Sequence, residues 1–456
     1  MPTSATATVS ARRSASGHTA LCVAGSSCEN LDEPRDDVLV ACPDGRSPAY
    51  QAVVGLARLG RLRRFVTAFY YSGDGPLAGL AKRVAPLRFS RYERLLRRRH
   101  EPEIPARRVR QDWGFDLALA AERRLATSHA EARLRLARWR TRRFDRIVAQ
   151  TLIRDRPAAA LLFSDVASEF ALPACRRLGI PSVLSMVHGD VREERRVMEI
   201  EAETAPDFFP IYLGNGEVDP GEMAWLHERR LSDIELADRI LVPSEHIAGE
   251  LVRHGTSRDR IAVVPYAADT RRFVPDPTKT HGANCTFLFA GGITQRKGIK
   301  YLLEAWRLVR RPGWRLQLLG ALPANTGPLL PYLDQVEWLG RFPHAEVPAR
   351  MASADVFVFP SLFEGSAVVT YEAMACGLPC IVTAEAGSVA RHGRDGLIVP
   401  ARDITSLAAA MERLGTDAAF RTACAASARA QAEAHDWDRY HHAVIGAVKC
   451  VTDPCP

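Results

Sequence analysis

Lysine is scarce in this chain of 456 residues, which carries five lysines among its 61 basic side chains. Nearly every positive side chain is therefore an arginine, and a lysine inside a motif stands out. Long apolar runs are also missing, and none reaches the roughly 18 residues that a helix needs to span a bilayer. The N-terminus has no apolar core of the length that a secretory signal requires. We expect residues 1–36, rich in Ser, Ala and Thr, to form a disordered leader.

The ten cysteines lack the spacing of a metal site or a disulfide framework. No Cys-x-x-Cys pair occurs, and Cys376 and Cys380 fall on either side of a predicted helix end. Scattered cysteines of this kind are typical of reduced thiols in a cytosolic protein. We therefore expect no bound metal and a cytoplasmic location.

Two nucleotide-related signals are absent as well. No Gly-x-Gly-x-x-Gly follows a predicted strand, which disfavours a dinucleotide-dependent oxidoreductase. The many arginines match no nucleic-acid-binding motif and have few aromatic residues between them. We therefore expect no nucleic-acid partner.

Positive charge is concentrated in one region. Of the net charge of +8, residues 88–156 contribute 20 Arg against 9 Asp or Glu, an excess of +11, so the rest of the chain is slightly acidic. On a helix, Phe89, Tyr92 and Leu96 would share a face flanked by arginines. Such a helix can lie on an anionic membrane. A packed helix with a solvated arginine face explains the same pattern, and both interpretations stay open.

The length and the strand and helix signals predict two α/β domains. A chain of this length exceeds one hydrophobic core. Apolar runs alternate with helical segments up to Ile240–Val242, and the alternation restarts after residue 265, as in doubly wound parallel sheets. We predict two Rossmann-like domains that face each other across a cleft. Their predicted bounds are residues 37–258 and 259–434, and residues 435–456 form a C-terminal helix.

The segment from Val356 to Pro379 predicts an anion-binding corner. An apolar run, Val356–Phe359, reads as a buried parallel strand, and the small residues 365–367 read as a tight turn. The helix that follows presents its unpaired N–H groups at the carboxyl edge of the sheet, where phosphates bind in such folds. Glu364 and Glu372 bracket the turn, and carboxylates accept hydrogen bonds from sugar or ribose hydroxyls. This combination indicates a nucleotide-sugar pocket.

A second segment, residues 289–298, places two cations at the same kind of edge. A predicted strand ends at Gly291 and a helix begins at Gly298, so Arg296 and Lys297 project between them. Arginine can bind phosphate oxygens in a fork, and lysine acts as a point charge. A solvated turn with two unrelated cations is the plain alternative.

Together these segments resemble the glycosyltransferase family four enzymes, which are retaining transferases of the GT-B fold. The resemblance follows the family's order through residues 235–244, 264–269, 296–298 and 354–361 to the Glu-x7-Glu unit of Glu364 and Glu372. It covers residues 230–440 firmly and residues 37–200 loosely. It also implies that the last helix, with Trp437 and Tyr440, returns to the first domain.

The resemblance implies a role for each matching residue. Arg296 and Lys297 would hold the donor diphosphate and stabilise it as it leaves, while Glu364 would hold the transferred sugar and Glu372 the ribose. The implied phosphate and donor contacts are at Gly292, Ser366, Ala367, Val368 and Val369. His188 would face the donor sugar from the first domain. Many relatives carry Arg at the position of Gly292 and Gly at that of Ala367.

We therefore expect an enzyme that moves a hexose from a nucleoside-diphosphate sugar to an acceptor hydroxyl with retention of configuration, without a cofactor or metal. The acceptor stays open: a saccharide, a lipid-linked glycan or a small molecule. A lipid-linked acceptor would suit a peripheral position on the inner face of the membrane. The alternative is a non-catalytic module of the same fold that binds nucleotide sugar or polyanions.

Overall fold

The computed structural model describes residues 37–45, 47–71, 83, 96, 99–125, 129–165, 167–214, 220–279 and 284–452. The predicted leader and, in the predicted basic helix, Phe89 and Tyr92 lie outside these residues. Within them the chain forms two parallel β-sheets with helices packed on both faces. This confirms the predicted architecture of two Rossmann-like domains.

Within the described residues, the first sheet has seven strands in the order β3-β2-β1-β4-β5-β6-β7. These strands are β1 (Val38–Ala41), β2 (Leu62–Thr67), β3 (Val109–Gln111), β4 (Ala159–Phe163), β5 (Ser182–Ser185), β6 (Arg239–Val242) and β7 (Ile261–Val263). The helices among them are α1 (Ser47–Arg58), α2 (Trp113–Glu122), α3 (Ala130–Asp155), α4 (Ala171–Leu178), α5 (Val191–Thr204), α6 (Pro220–Leu236) and α7 (Glu245–Arg253).

The second sheet has six strands in the described chain, in the order β10-β9-β8-β11-β12-β13. These strands are β8 (Cys285–Ala290), β9 (Trp314–Leu319), β10 (Glu337–Gly340), β11 (Val356–Phe359), β12 (Cys380–Val382) and β13 (Gly396–Ile398). The helices that follow β7 are α8 (Ile299–Val309), α9 (Val347–Ala352), α10 (Val368–Ala375), α11 (Ile404–Thr416), α12 (Ala418–Glu433) and α13 (Trp437–Thr452).

The strand order creates a point in each sheet where the chain reverses its direction of winding. In the second sheet β8 pairs with β9 on one side and with β11 on the other. The connections after β8 and β11 therefore leave in opposite directions and open a crevice at the carboxyl edge, which is the usual ligand site of such sheets. Both of the predicted motif segments lie there.

Apolar sequence runs explain the central strands. All four residues of β1 and of β11 are buried, as expected for strands covered by helices on both faces. The edge strands β3 and β10 are not predicted by the sequence, because Val109–Gln111 is half-buried and Glu337 and Trp338 are exposed. Neither strand has an apolar run that marks it.

The predicted domain boundary at 258/259 is wrong by a few residues. β7 (Ile261–Val263) pairs with β6 and completes the first sheet, so the crossing to the second sheet comes after residue 263. The last helix, α13, packs on α1 of the first domain. There the hydroxyl of Tyr440 donates to the carbonyl oxygen of Pro48 at 3.0 Å. Among the described residues, no helix is both long and apolar enough to cross a bilayer.

Candidate functional site

The turn after β8 packs directly on the segment after β11. It is a short 3-10 helix, Gln295–Lys297, followed by Gly298 with a left-handed φ of +74°. A Cβ at Gly298 would lie 1.9 Å from the carbonyl oxygen of Pro360, so only glycine permits this approach. The N–H of Leu362 donates to the carbonyl oxygen of Arg296 at 2.8 Å. We name residues 295–297 the cation turn.

Lys297, Arg296 and Glu364 form one charged group at this contact. The Lys297 Nζ lies 2.8 Å from Glu364 Oε1, and an Arg296 guanidinium nitrogen lies 3.5 Å from the same oxygen. Arg296 also donates to the carbonyl oxygen of Phe363 at 3.1 Å. The Glu364 side chain is only 14% exposed. Burial raises the pKa of Glu364, but the charges of Lys297 and Arg296 outweigh it and hold the pKa below its usual value.

The N-terminus of α10 supplies two backbone donors beside this group. Ala367 precedes the helix with an extended backbone, and its own N–H donates to the carbonyl oxygen of Ala386 at 3.0 Å. The N–H groups of Val368 and Val369 belong to the first helical turn, where no intrahelical acceptor exists. Of the three predicted backbone contacts, Ala367 is thus already occupied, whereas Val368 and Val369 have donors for an anion.

Ser366 and Gly292 differ in what they present to the crevice. The Ser366 hydroxyl is buried, donates to the carbonyl oxygen of Gly387 at 2.7 Å and contacts the Tyr371 hydroxyl at 3.1 Å. It is therefore occupied within its own domain. A Cβ at Gly292 would meet only Thr294, at 3.7 Å, so there is open space beside this residue.

Glu372 lines a cavity of about 600 Å³. The cavity also contacts His344, Val368 at the start of α10, Trp437 of α13 and Val187 of the first domain. His344 Nε2 lies 3.7 Å from Glu372 Oε1. Lys297, Glu364 and His188 do not line this cavity, whereas Val187, which precedes His188, and Val368, which begins α10, do.

His188 follows β5 in the first domain, and its side chain is only 13% exposed. Its Nδ1 lies 2.8 Å from the carbonyl oxygen of Gly189, and its Nε2 lies 3.2 Å from Asp165 Oδ1. Asp165 also accepts from Arg230 at 2.6 Å. Burial raises the pKa of Asp165, but Arg230 and His188 lower it well below the usual value. The imidazole is therefore oriented by a carboxylate that stays ionised.

Asp165, which comes two residues after β4, does not cap the helix that follows. α4 begins only at Ala171, and Asp165 has a left-handed φ of +83°, which places its carboxylate against His188 instead. The N-terminal N–H groups of α4 and the residues before it are bound by Asp145 of α3. Its carboxylate accepts from Glu169 and Ala171 at 3.0 and 2.8 Å.

The first domain contacts the Glu364 segment directly. A Cβ at Gly365 would lie 2.2 Å from the carbonyl oxygen of Val187. Ser244, at the start of α7, donates to the carbonyl oxygen of Gly365 at 3.1 Å. Since Val187 adjoins His188 and Gly365 adjoins Glu364, this contact brings the segments of both predicted site residues close together.

Two buried acids of the first domain, Asp233 and Asp145, have raised pKa values. Burial raises the pKa of Asp233 to about 8, although Arg229 opposes the effect. Burial likewise raises the pKa of Asp145 to about 6. Asp233 Oδ2 accepts from the backbone N–H of Asp165 at 3.2 Å. At neutral pH Asp233 thus holds a proton beneath the carboxylate that orients His188.

This raised pKa predicts a pH-dependent difference in stability. Between pH 5 and 7.5 an unfolded aspartate is ionised while Asp233 in the folded state keeps its proton. Folding therefore takes up a proton. The free energy of unfolding of the wild type consequently falls as the pH rises towards 8. Asp233→Asn mimics the protonated form. We expect its free energy of unfolding to increase relative to that of the wild type by up to about 1.4 kcal/mol per pH unit.

Urea unfolding at several pH values measures this slope. The control is Asp259→Asn at an exposed position, where the carboxylate is in solvent in both states. A constant difference in the free energy of unfolding between wild type and Asp233→Asn across this range would contradict the assignment.

The predicted residues thus fall into two neighbouring groups. Arg296, Lys297 and Glu364 form the charged group, with the N-terminus of α10 and His188 nearby. Glu372 lines the adjoining cavity. Sequence reasoning missed His344 and Arg230, because each is a polar residue outside any motif and is brought to the site only by the fold. Among the described residues, no group of three or more His, Cys, Asp or Glu side chains is placed to hold a metal ion.

Comparisons with known proteins concern the family of the second domain and the fold of the chain. Residues 284–417 match the family model "Glycosyl transferases group 1". The D-inositol 3-phosphate glycosyltransferase of Pseudarthrobacter chlorophenolicus is 33% identical over 264 residues, covering 51% of this chain and 62% of that relative. The O-antigen chain mannosyltransferase B of Escherichia coli is 28% identical over 171 residues, covering 36% and 45%. The chain thus spans roughly half the length of these relatives.

Solved structures resemble the chain over nearly its whole length. Sucrose-phosphate synthase from Thermosynechococcus elongatus has a TM-score of 0.61 at 18% identity, covering 90% of this chain and 97% of that one. HepE of Anabaena, in complex with UDP-glucose, has a TM-score of 0.57 at 14% identity, covering 91% and 99%. At these identities the likeness concerns the fold. The chain has the two-domain GT-B fold, and its second domain matches the glycosyl transferases group 1 family.

Proposed function

We propose that the protein transfers a hexose from a nucleoside-diphosphate sugar to an acceptor hydroxyl with retention of anomeric configuration. The single observation that carries this proposal is the position of Lys297. Its ammonium lies 2.8 Å from Glu364 at the carboxyl edge of the second sheet, beside the N-terminus of α10. A cation next to unpaired N–H groups is a binding site for an anion such as diphosphate.

The donor diphosphate would lie between the cation turn and α10. The Lys297 ammonium has three N–H donors, of which one goes to Glu364, so two remain for phosphate oxygens. The N–H groups of Val368 and Val369 would bind the opposite side of the diphosphate. Glu372 would accept from the ribose hydroxyls, and the cavity of about 600 Å³ beside it would hold the nucleoside.

The transferred sugar would lie between Glu364 and His188. The second carboxylate oxygen of Glu364 would accept a hydrogen bond from a sugar hydroxyl. His188, oriented by Asp165, would contact the sugar from the first domain. In the reaction, the bond between the anomeric carbon and the diphosphate oxygen breaks. The acceptor oxygen then bonds to that carbon from the same face, and its proton passes to the leaving phosphate. Lys297 and Arg296 stabilise the charge that develops on the diphosphate.

A thermal-shift panel of UDP, GDP, ADP and TDP tests donor binding. A ligand that binds only the folded state raises the midpoint of unfolding by mass action. We expect one of the four to stabilise the wild type, and Glu372→Ala to abolish most of this shift because the ribose loses its acceptor. Measured by calorimetry, the affinity loss should be roughly tenfold to a hundredfold.

Glu346→Ala is the matched control, because Glu346 is exposed and lies outside the cavity. No stabilisation of the wild type by any of the four nucleotides would contradict the proposal. Binding without any transfer or donor hydrolysis would favour the alternative, a non-catalytic nucleotide-sugar module.

A peripheral membrane contact is part of the proposal. It was predicted on the helix with Phe89 and Tyr92, which lie outside the described residues, and α2 and α3 of the same basic region support it. Trp113, Leu117 and Trp139 are 54%, 71% and 50% exposed, although large apolar side chains are usually buried. A shallow pocket at Trp139 is lined by five residues of α3: Arg135, Arg138, Trp139, Arg142 and Arg146. Tryptophan among arginines is typical of proteins that lie on anionic lipid.

Vesicle sedimentation tests this contact. We expect binding to phosphatidylglycerol vesicles and not to phosphatidylcholine vesicles, weakened by salt and by Trp139→Ala. Trp338→Ala, at a tryptophan of the second domain with 49% exposure, is the control. Equal sedimentation of Trp139→Ala and wild type, or a lack of salt dependence, would count against a membrane role.

A further inference from the structure

Helix α5 connects the two halves of the candidate site. It begins at Val191, three residues after His188, and its N-cap Asp190 accepts from the N–H of Arg192 at 2.9 Å. The N–H of Asp190 in turn donates to Glu250 of α7 at 2.9 Å. The N-terminal end of α5 is therefore fixed to the first domain.

The other end of α5 is fixed to the second domain through Glu201. This carboxylate is fully buried. It accepts from Arg402 Nε at 2.7 Å, from the Tyr301 hydroxyl at 3.0 Å and from the side-chain amide of Gln295. All three donors belong to the second domain: Arg402 follows β13, Tyr301 lies on α8, and Gln295 is the first residue of the cation turn.

Gln295 links Glu201 to the turn that carries Arg296 and Lys297. Its side chain is fully buried, and its Oε1 accepts from the backbone N–H of Lys300 at 3.1 Å. The amide group thus clamps the turn that presents Arg296 and Lys297. The backbone N–H of Arg296 also donates to the carbonyl oxygen of Tyr212, eight residues beyond α5, at 3.2 Å.

The distance between His188 and the cation turn is then set by a rigid element. From Val191 to Glu201 the helix rises by about 15 Å, and both of its ends are held by buried polar contacts. A buried carboxylate whose donors are all in place rigidifies its surroundings, whereas the loss of its charged partner leaves an uncompensated charge.

We propose that Glu201 is a positioning residue, which acts through Gln295 and Arg402 to hold the cation turn at a fixed distance from His188. Its effect on transfer rests on the proposed function, but its effect on the cation turn does not. No local sequence pattern links these residues, because Glu201 and Arg402 are 201 positions apart in the chain.

Hydrogen exchange measured by mass spectrometry on the free protein tests the positioning itself. We expect Glu201→Gln to speed exchange in peptides covering residues 293–302 roughly tenfold or more, with little change in β11. Arg402→Gln, at a partly exposed arginine, should speed exchange in the same peptides and replaces Glu201→Gln in the test if that variant fails to fold. In the double variant the exchange rate should increase by less than the product of the two single increases, since neither charge is left unpaired.

The control is Arg315→Gln, which breaks an exposed pair with Glu337 at 3.7 Å in the same domain and should leave the cation turn unchanged. Folded Glu201→Gln and Arg402→Gln proteins that exchange like wild type would overturn the proposal. In transfer assays with a nucleotide sugar that the wild type uses, we expect both variants to lower kcat roughly tenfold with little change in donor KM. A raised KM at unchanged kcat would also overturn it, whereas a wild type that binds no nucleotide refutes only the proposed function.

Discussion

Lys297→Ala is expected to lower kcat/KM for sugar transfer by about 10²- to 10³-fold, the usual loss when one preorganised donor to a developing anion is removed. The Lys297 ammonium lies 2.8 Å from Glu364 and also over the Phe359 ring, 4.9 Å from its centre. Its ammonium is thus held by the protein before any donor binds. The measurement is steady-state transfer, or donor hydrolysis, with the nucleotide sugar that stabilises the wild type.

The substitution also has a predicted structural cost. Without Lys297, only Arg296 at 3.5 Å remains to lower the pKa of Glu364, so the pKa of this buried carboxyl should rise. Circular dichroism and unfolding midpoints separate a lost function from a lost fold. Lys449→Ala, at an exposed lysine of α13, is the control. A folded Lys297→Ala protein with wild-type kcat/KM would contradict a leaving-group role.

Gly365→Ala is expected to reduce kcat by about 10²-fold, because small displacements of reacting groups carry losses of that size. A Cβ at this residue would lie 2.2 Å from the carbonyl oxygen of Val187, across the contact between the domains. The residue has no left-handed φ, so the effect would come from the collision and not from backbone strain. The added methyl group would push the Glu364 segment away from His188.

Small-angle scattering and transfer kinetics together measure this effect. The variant should have a slightly larger radius of gyration and a lower kcat, while binding of the nucleotide to the Glu372 cavity is retained. Gly446→Ala is the control, because its Cβ would meet no atom within 4 Å. Unchanged kcat in a folded Gly365→Ala protein would mean that the observed contact between the domains is not the catalytic arrangement.

The central strands and the motif segments could be predicted from the sequence because each is a local pattern. Val356–Phe359 is a continuous apolar run and is buried throughout. Small residues follow it, and the helix then begins at Val368, as predicted. Gly298 marks the end of the cation turn, where the backbone approaches Pro360 too closely for a side chain. In these segments the local sequence and the fold impose the same requirement.

The buried polar contacts could not be predicted, because their sequence context is that of a solvated surface. Glu201 lies in a helix of mostly charged residues, Val191–Thr204, that reads as exposed, yet its carboxylate is fully buried. Asp233 is likewise a buried acid in α6, a helix with many charged residues. Their partners lie on other elements, so only the packing of α5 and α6 shows which acids are buried.

A crystal structure of the protein with the nucleoside diphosphate that stabilises it most would show where the donor binds. We expect the diphosphate within hydrogen-bonding distance of the Lys297 ammonium and of the Val368 or Val369 N–H, with the ribose on Glu372. A nucleotide bound elsewhere, or one whose phosphates avoid both Lys297 and the start of α10, would contradict this expectation.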